Sequence, residues 1–339
     1  MNLNKLFPLQ DNEPYCKRAK VDTGTFCNYK CSFCYYYDKL SDKKSYELIT
    51  QQIDYLIECG IKEVDLSGGE SSIHEDWFNI LDYCNNKNLY ISTISNGYMF
   101  NSLRFMEISK NKGLKEILFS LHGYDEETHN SVVGNQYAFQ RLMQAFDNAK
   151  KLNLKIRINY VVNPQSIKNP NAYAKLITEI NPFEINFLTL NYFGVANQYL
   201  SYEESSIHIK QIIDLIDIKY INVRYTPFCY MIGYEKYICN TFQHIYDLYD
   251  WNMALYDMTL NPSDYIQNEE SYLYQQAKKD RLNLYYKPKN CIQCKYLFIC
   301  DGIEKQSNDL VYPEPGEKIK FINYYRKDFY ANKCFNINS

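Results

Sequence analysis

The chain of 339 residues carries 37 Lys and Arg against 40 Asp and Glu, a formal charge of −3, and 46% of it is hydrophobic. That is ample for a sizeable core. The near-neutral balance argues against a nucleic-acid binder, which concentrates a basic excess on one face. The basic and aromatic tail KIKFINYYRKDFYANK reads as a solvated terminal face. The N-terminus has no apolar run of the signal-peptide kind. No later stretch approaches the roughly eighteen apolar residues of a membrane span. A cytoplasmic protein with no membrane partner is therefore expected. Twelve cysteines in such a reducing compartment point to metal or cluster ligation, not to disulfides. The 35 tyrosines, beside much Asn, Lys and Ile, are read as compositional bias.

Taken in chain order, residues 1–18 form an N-terminal extension, and from 19 to 216 short apolar runs alternate with longer amphipathic ones. The runs AKVDTG (19–24), KEVDLSG (62–68), LYISTIS (89–95), KEILFSL (115–121), KIRINYVV (155–162) and EINFLTL (184–190) read as strands. Between them, helical spacing is expected at 45–60, 76–86, 102–110, 138–151, 172–180 and 203–216. In the first of these, Leu48, Ile49, Ile53, Leu56 and Ile57 line one face before the stop at Gly60. Six strand–helix units in series imply an α/β fold with a parallel sheet and right-handed crossovers, an open partial (β/α)6 barrel. After about residue 217 the rhythm breaks, and residues 217–339 read as a small cysteine-bearing C-terminal domain. On such sheets functional residues gather at the carboxyl ends of strands.

The stretch CNYKCSFC follows the first strand and places Cys27, Cys31 and Cys34 within eight positions. Structural zinc and a four-iron cluster both usually take four protein ligands. Three thiols would leave one coordination position open. This spacing, with Phe33 just before the last cysteine, resembles the signature of the radical S-adenosylmethionine (SAM) enzymes. The resemblance implies a [4Fe–4S] cluster on the three cysteines, with SAM as the remaining ligand of the open iron. It also implies reductive cleavage of SAM to a 5′-deoxyadenosyl radical that abstracts a hydrogen atom from substrate. LSGGES, closing the second strand, resembles the family's GGE motif. In this reading Gly68 and Gly69 let the backbone approach the ligand and Glu70 accepts from SAM's ammonium. The resemblance extends more weakly to Ser95, Ser120 and Asn159, at or near strand ends, as SAM-binding groups. His122 and His129 are read as structural and stay outside the catalytic set.

The second cluster, CIQCKYLFIC, places Cys291, Cys294 and Cys300 as CxxCx5C, with Gly302 beyond. A zinc knuckle remains an alternative. The pattern resembles the C-terminal extensions called SPASM and twitch, which hold auxiliary [4Fe–4S] clusters. A full SPASM set has a cysteine where this chain has Glu304, so one twitch-like auxiliary cluster is expected. Cys229 is the favoured fourth ligand, Cys334 is the alternative, and Cys239 is a candidate for a second, partly ligated cluster. Cys16, Cys59 and Cys84 are read as small apolar fillers.

Members of this build often oxidise or cross-link ribosomal peptides, and a peptide or protein substrate is the expectation. Only 26 residues precede Cys27, too few for a separate peptide-recognition domain, which lowers the weight of a leader-guided peptide. A radical dehydrogenase or epimerase of small sugars, alcohols or nucleotides is the alternative. A non-catalytic iron–sulfur or zinc protein is the reading from another class. The cluster would draw electrons from a low-potential donor such as flavodoxin or ferredoxin.

Overall fold

The computed structural model describes residues 18–34, 36, 41–58, 60–190, 200–239, 253–255 and 285–319. Seven strands lie parallel, each beside its predecessor in the chain: β1 (Arg18–Asp22), β2 (Glu63–Ser67), β3 (Tyr90–Ser95), β4 (Leu114–Ser120), β5 (Lys155–Val161), β6 (Glu184–Leu188) and β7 (Tyr220–Arg224). A short β8 (Met253–Leu255) adds in parallel to the other edge of β1. Helices α1 (Tyr46–Glu58), α2 (Trp77–Asn86), α3 (Leu103–Asn111), α4 (Glu126–Val133), α5 (Ala138–Lys151), α6 (Pro170–Ile180) and α7 (Tyr202–Ile213) make the crossovers. The sheet curls into the half-barrel that the strand–helix rhythm implies.

The strands alternate in chemistry as well as in direction of side chain. Ala19, Val21, Val64, Leu66, Ile91, Ile117, Phe119, Ile158, Ile185 and Val223 join one buried cluster with the helices' apolar stripes. The positions between them face the other, concave side and are mostly polar, Leu118 being an exception. There Arg18 bonds Glu116 Oε1 at 2.8 Å, Arg157 reaches the same oxygen at 2.7 Å, and Arg157 Nε meets Glu184 at 2.9 Å. Lys155 takes Glu116 Oε2 at 3.1 Å, and Lys20 pairs with Asp22 at 2.8 Å. Such a wall gains little net stability over an apolar one, because desolvation cancels most of the attraction, but removing one member strands its partners.

Two features depart from the six-unit expectation. The sheet does not stop near residue 216, because Tyr220–Arg224 pairs in register with β6, Asn186 opposite Asn222. And α4, Glu126–Val133, forms in a segment where helical spacing predicts no helix. Its start is written in Asp125 and Thr128, whose side chains cap each other's backbone. Beyond the barrel, β9 (Tyr285–Tyr286) and β10 (Ile303–Glu304) pair antiparallel beside short helical turns.

Candidate active site

The cysteine loop is clamped by backbone from two sides. On one side the N–H groups of Gly69 and Glu70 donate to the carbonyls of Gly24 (3.0 Å) and Phe26 (2.9 Å). On the other, Lys30 and Ser32 N–H donate to the carbonyls of Val133 (3.2 Å) and Val132 (2.9 Å), at the end of α4. A Cβ on Gly69 would stand 1.9 Å from the Phe26 carbonyl oxygen, and one on Gly68 2.1 Å from that of Gly24. The two glycines are therefore spent on the close approach of β2's end to the cysteine loop itself.

Cys27, Cys31 and Cys34 are free and partly buried. Burial pushes all three thiols up, Cys27 to about 12 and Cys31 further. Neutral thiols in such a setting ionise when a cation arrives, releasing protons as they bind it. Among the described residues no three Cys, His, Asp or Glu side chains converge on a single-ion site.

Glu70 is 1% exposed and its carboxylate is a hub. Its Oε1 accepts from the Ser72 hydroxyl and from the Ser95 hydroxyl at 2.9 Å, and Oε2 accepts from the Asn96 N–H at 2.6 Å. Burial pushes this carboxyl above its ordinary range, against the opposing pull of those donors. Ser95 thus spends its proton inside the protein. Ser120 and Asn159 face each other across β4 and β5, both partly buried. Among the described residues their side chains have no hydrogen-bond partner.

Phe33 packs edge-on against His122, ring centroids 4.7 Å apart. His122 Nδ1 accepts from the Val161 N–H, and His129 Nδ1 accepts from the His122 N–H. Burial lowers both histidines far below their ordinary range, His129 to about 3, so each is a neutral acceptor that braces the backbone. Groups the sequence reading passed over also meet here. Asn96 and Asn28 join at 2.9 Å, and the Tyr36 hydroxyl donates to Asp22 Oδ2 at 2.6 Å. Their separation along the chain hides them, although SNG at a strand end is a visible polar turn.

A second constellation lies outside the barrel. Cys229, Cys291, Cys294 and Cys300 line one small apolar cavity with Pro227, Leu297 and Val311. Burial pushes Cys229 and Cys291 up to about 11 and Cys300 to about 12. Cys239, fully buried, lines a different cavity with Tyr225 and Asp301. Glu304 is buried and accepts from the Tyr285 hydroxyl at 3.0 Å. Cys84 is fully buried in α2, and Cys16, Cys59 and Cys334 lie outside the described residues.

The model of the Radical SAM superfamily matches residues 21–177. Among curated proteins, the chain is 28% identical over 164 residues to an S-adenosylmethionine-dependent nucleotide dehydratase of Oncorhynchus mykiss, 46% of either chain. It is 25% identical over 220 residues to a probable GTP 3′,8-cyclase of Sulfurisphaera tokodaii, 62% of this chain and 69% of that one. It is 22% identical over 174 residues to the PqqA peptide cyclase of Bradyrhizobium diazoefficiens, 50% and 45% of the two. The chain spans about half the length of several curated relatives it matches. Two solved structures share the fold. Native anSMEcpe with bound AdoMet and Cp18Cys peptide aligns at TM-score 0.61 and 16% identity, covering 93% of this chain and 96% of its own. Streptococcus suis SuiB bound to precursor peptide SuiA aligns at TM-score 0.62 and 15% identity, covering 85% and 71%. Among the described residues no helix is long and apolar enough to cross a membrane.

Proposed function

Since residues 21–177 are a radical SAM domain, of an enzyme superfamily that works with SAM and a [4Fe–4S] cluster, we propose that this chain oxidises or cross-links a peptide or protein. Cys27, Cys31 and Cys34 would hold the cluster. The fit rests on three partly buried thiols in a loop fixed by backbone bonds from both sides. When bound, the cluster and SAM supply reductive cleavage of SAM and removal of a hydrogen atom from substrate. Glu70 Oε2, with one donor from the protein, retains capacity for an ammonium. Ser120, at the carboxyl end of β4, and Asn159, opposite it near the end of β5, offer polar groups suited to SAM's carboxylate and ribose.

The observation that carries the oxidative reading is the second cavity. Its four thiols, Cys229, Cys291, Cys294 and Cys300, complete the donor set of a four-iron cluster. With every iron ligated by protein, such a centre has no position open for substrate and is suited to taking an electron away. Structural relatives with peptide bound support the substrate class. A nucleotide or other small-molecule substrate is the second reading, favoured by the names of the sequence relatives. A low-potential donor such as flavodoxin or ferredoxin would deliver the electron that starts the cycle.

The test is anaerobic reconstitution, iron and sulfide counting, and assay for 5′-deoxyadenosine with SAM and dithionite. About eight irons per chain are expected, falling to about four when Cys27, Cys31 and Cys34 are all changed to Ala, with deoxyadenosine made by the parent alone. No deoxyadenosine from the fully loaded parent would overturn the reading.

A further inference from the structure

The residue that joins the two halves of the proposed SAM site is Asn96, one position beyond β3. All of its hydrogen-bonding atoms except the carbonyl are committed. Its N–H donates to Glu70 Oε2 at 2.6 Å. Its Oδ1 accepts from the Tyr98 N–H at 2.9 Å, and its Nδ2 donates to Asn28 Oδ1 at 2.9 Å and lies 3.9 Å from Cys27 Sγ. The orientation of the carboxamide is decided by chemistry. A backbone N–H can only donate, so the oxygen must face Tyr98 and the NH2 must face Cys27. The Tyr29 N–H, 3.5 Å from the same sulfur, is a second donor.

We propose that Asn96 is a positioning residue that ties the Glu70 carboxylate to the Cys27 sulfur and, through its Nδ2 donor, makes the cluster on that sulfur easier to reduce. This rests on the reading of Cys27 as a cluster ligand. A hydrogen bond to a ligating sulfur stabilises the more negative, reduced state of an iron–sulfur centre and raises its potential. Glu70 anchors the backbone of Asn96 from one side, and the turn to Tyr98 fixes its side chain from the other. The donor is therefore held in place before any cluster is built. Through this residue a change at Glu70 is felt at Cys27 within two hydrogen bonds.

The experiment is a reductive titration followed by electron paramagnetic resonance on reconstituted parent, Asn96→Ala and Asn96→Asp proteins. The loop cluster is identified as the signal lost in Cys27→Ala. Asn96→Asp keeps an acceptor for Tyr98 and the N–H for Glu70, so it preserves the turn should the Ala variant fold poorly. The midpoint of the loop signal is expected to move to more negative potential in both variants, further in Asn96→Asp, where a carboxylate replaces the donor. A potential is a property of each cluster that forms, so partial loading does not mimic the shift. Parental midpoints in both variants, whatever the iron content or activity, would leave Asn96 a structural brace and overturn the proposal. A parent that forms no cluster on Cys27 would overturn the assignment of the loop, and this inference with it.

Discussion

The two cysteine sites are built in opposite ways. The loop of Cys27, Cys31 and Cys34 is short of one thiol and rich in backbone restraint, held between the end of β2 and the end of α4. The cavity of Cys229, Cys291, Cys294 and Cys300 has four thiols and an apolar lining, on short helical turns and a two-residue strand pair. An incomplete set must be held open by the protein around it, or its thiols would rearrange around whatever metal arrives. A complete set can draw its own loops together as the metal binds, since binding free energy is then folding free energy. On the proposed reading, the contrast gives reactivity to the clamped loop and the taking up of an electron to the four-thiol cavity.

The sharpest way to break that contrast is a pair of substitutions. Cys27→Ala should abolish deoxyadenosine formation to background. Cys229→Ala should lower the iron count yet leave reductive SAM cleavage in place, as single-turnover assays would record. Equal loss from both would mean that the sites do not divide the work.

Next in size is Glu116→Ala, which takes one shared carboxylate from the Arg18 and Arg157 guanidiniums, leaving them Glu63, Asp65 and Glu184, and should cost about 3 kcal/mol in denaturant unfolding. The same residue gives a pH signature. Its cationic neighbours hold its carboxyl well below the usual range, although burial alone would raise it. Its contribution is therefore complete above the ordinary carboxylate range and is lost as the pH falls through and below it. Parent protein should lose stability there on acidification, and the variant should lose less. Whether the cavity's iron is released in step with the loop's will show if the sites share one cooperative unit.

Gly69→Ala forces a Cβ into the Phe26 carbonyl and should cost about 3 kcal/mol, with loss of loop iron before cavity iron. The smallest effect is expected of Cys239→Ala. It should trim about 1 kcal/mol from stability and leave the iron count unchanged, because this thiol faces the neighbouring cavity. A fall by four irons would move it into the ligand set.

Much of the barrel was legible because β-strand alternation and helical periodicity are local properties, visible in runs such as KEVDLSG and SYELITQQIDYLIECG. The seventh strand was not, because YINVR follows α7 after a short turn and carries polar residues on its concave side. What it pairs with is decided by β6, far back in the chain. The cysteine spacing and LSGGES were equally visible, but the partners of Glu70 were not. Ser95 and Asn96 reach it from 25 and 26 residues away. Nor could the sequence say whether two glycines yield to a ligand or to the chain's own backbone, since both demand the same missing side chain.

One consequence follows from the charged concave wall. Glu116 is held far below neutrality in its proton affinity, and Arg18 and Arg157 far above. Across the span of pH between those limits none of the three changes charge. These three side chains thus keep one charge pattern on the barrel floor as the surroundings acidify or alkalise, a fixed electrical reference for whatever binds above it.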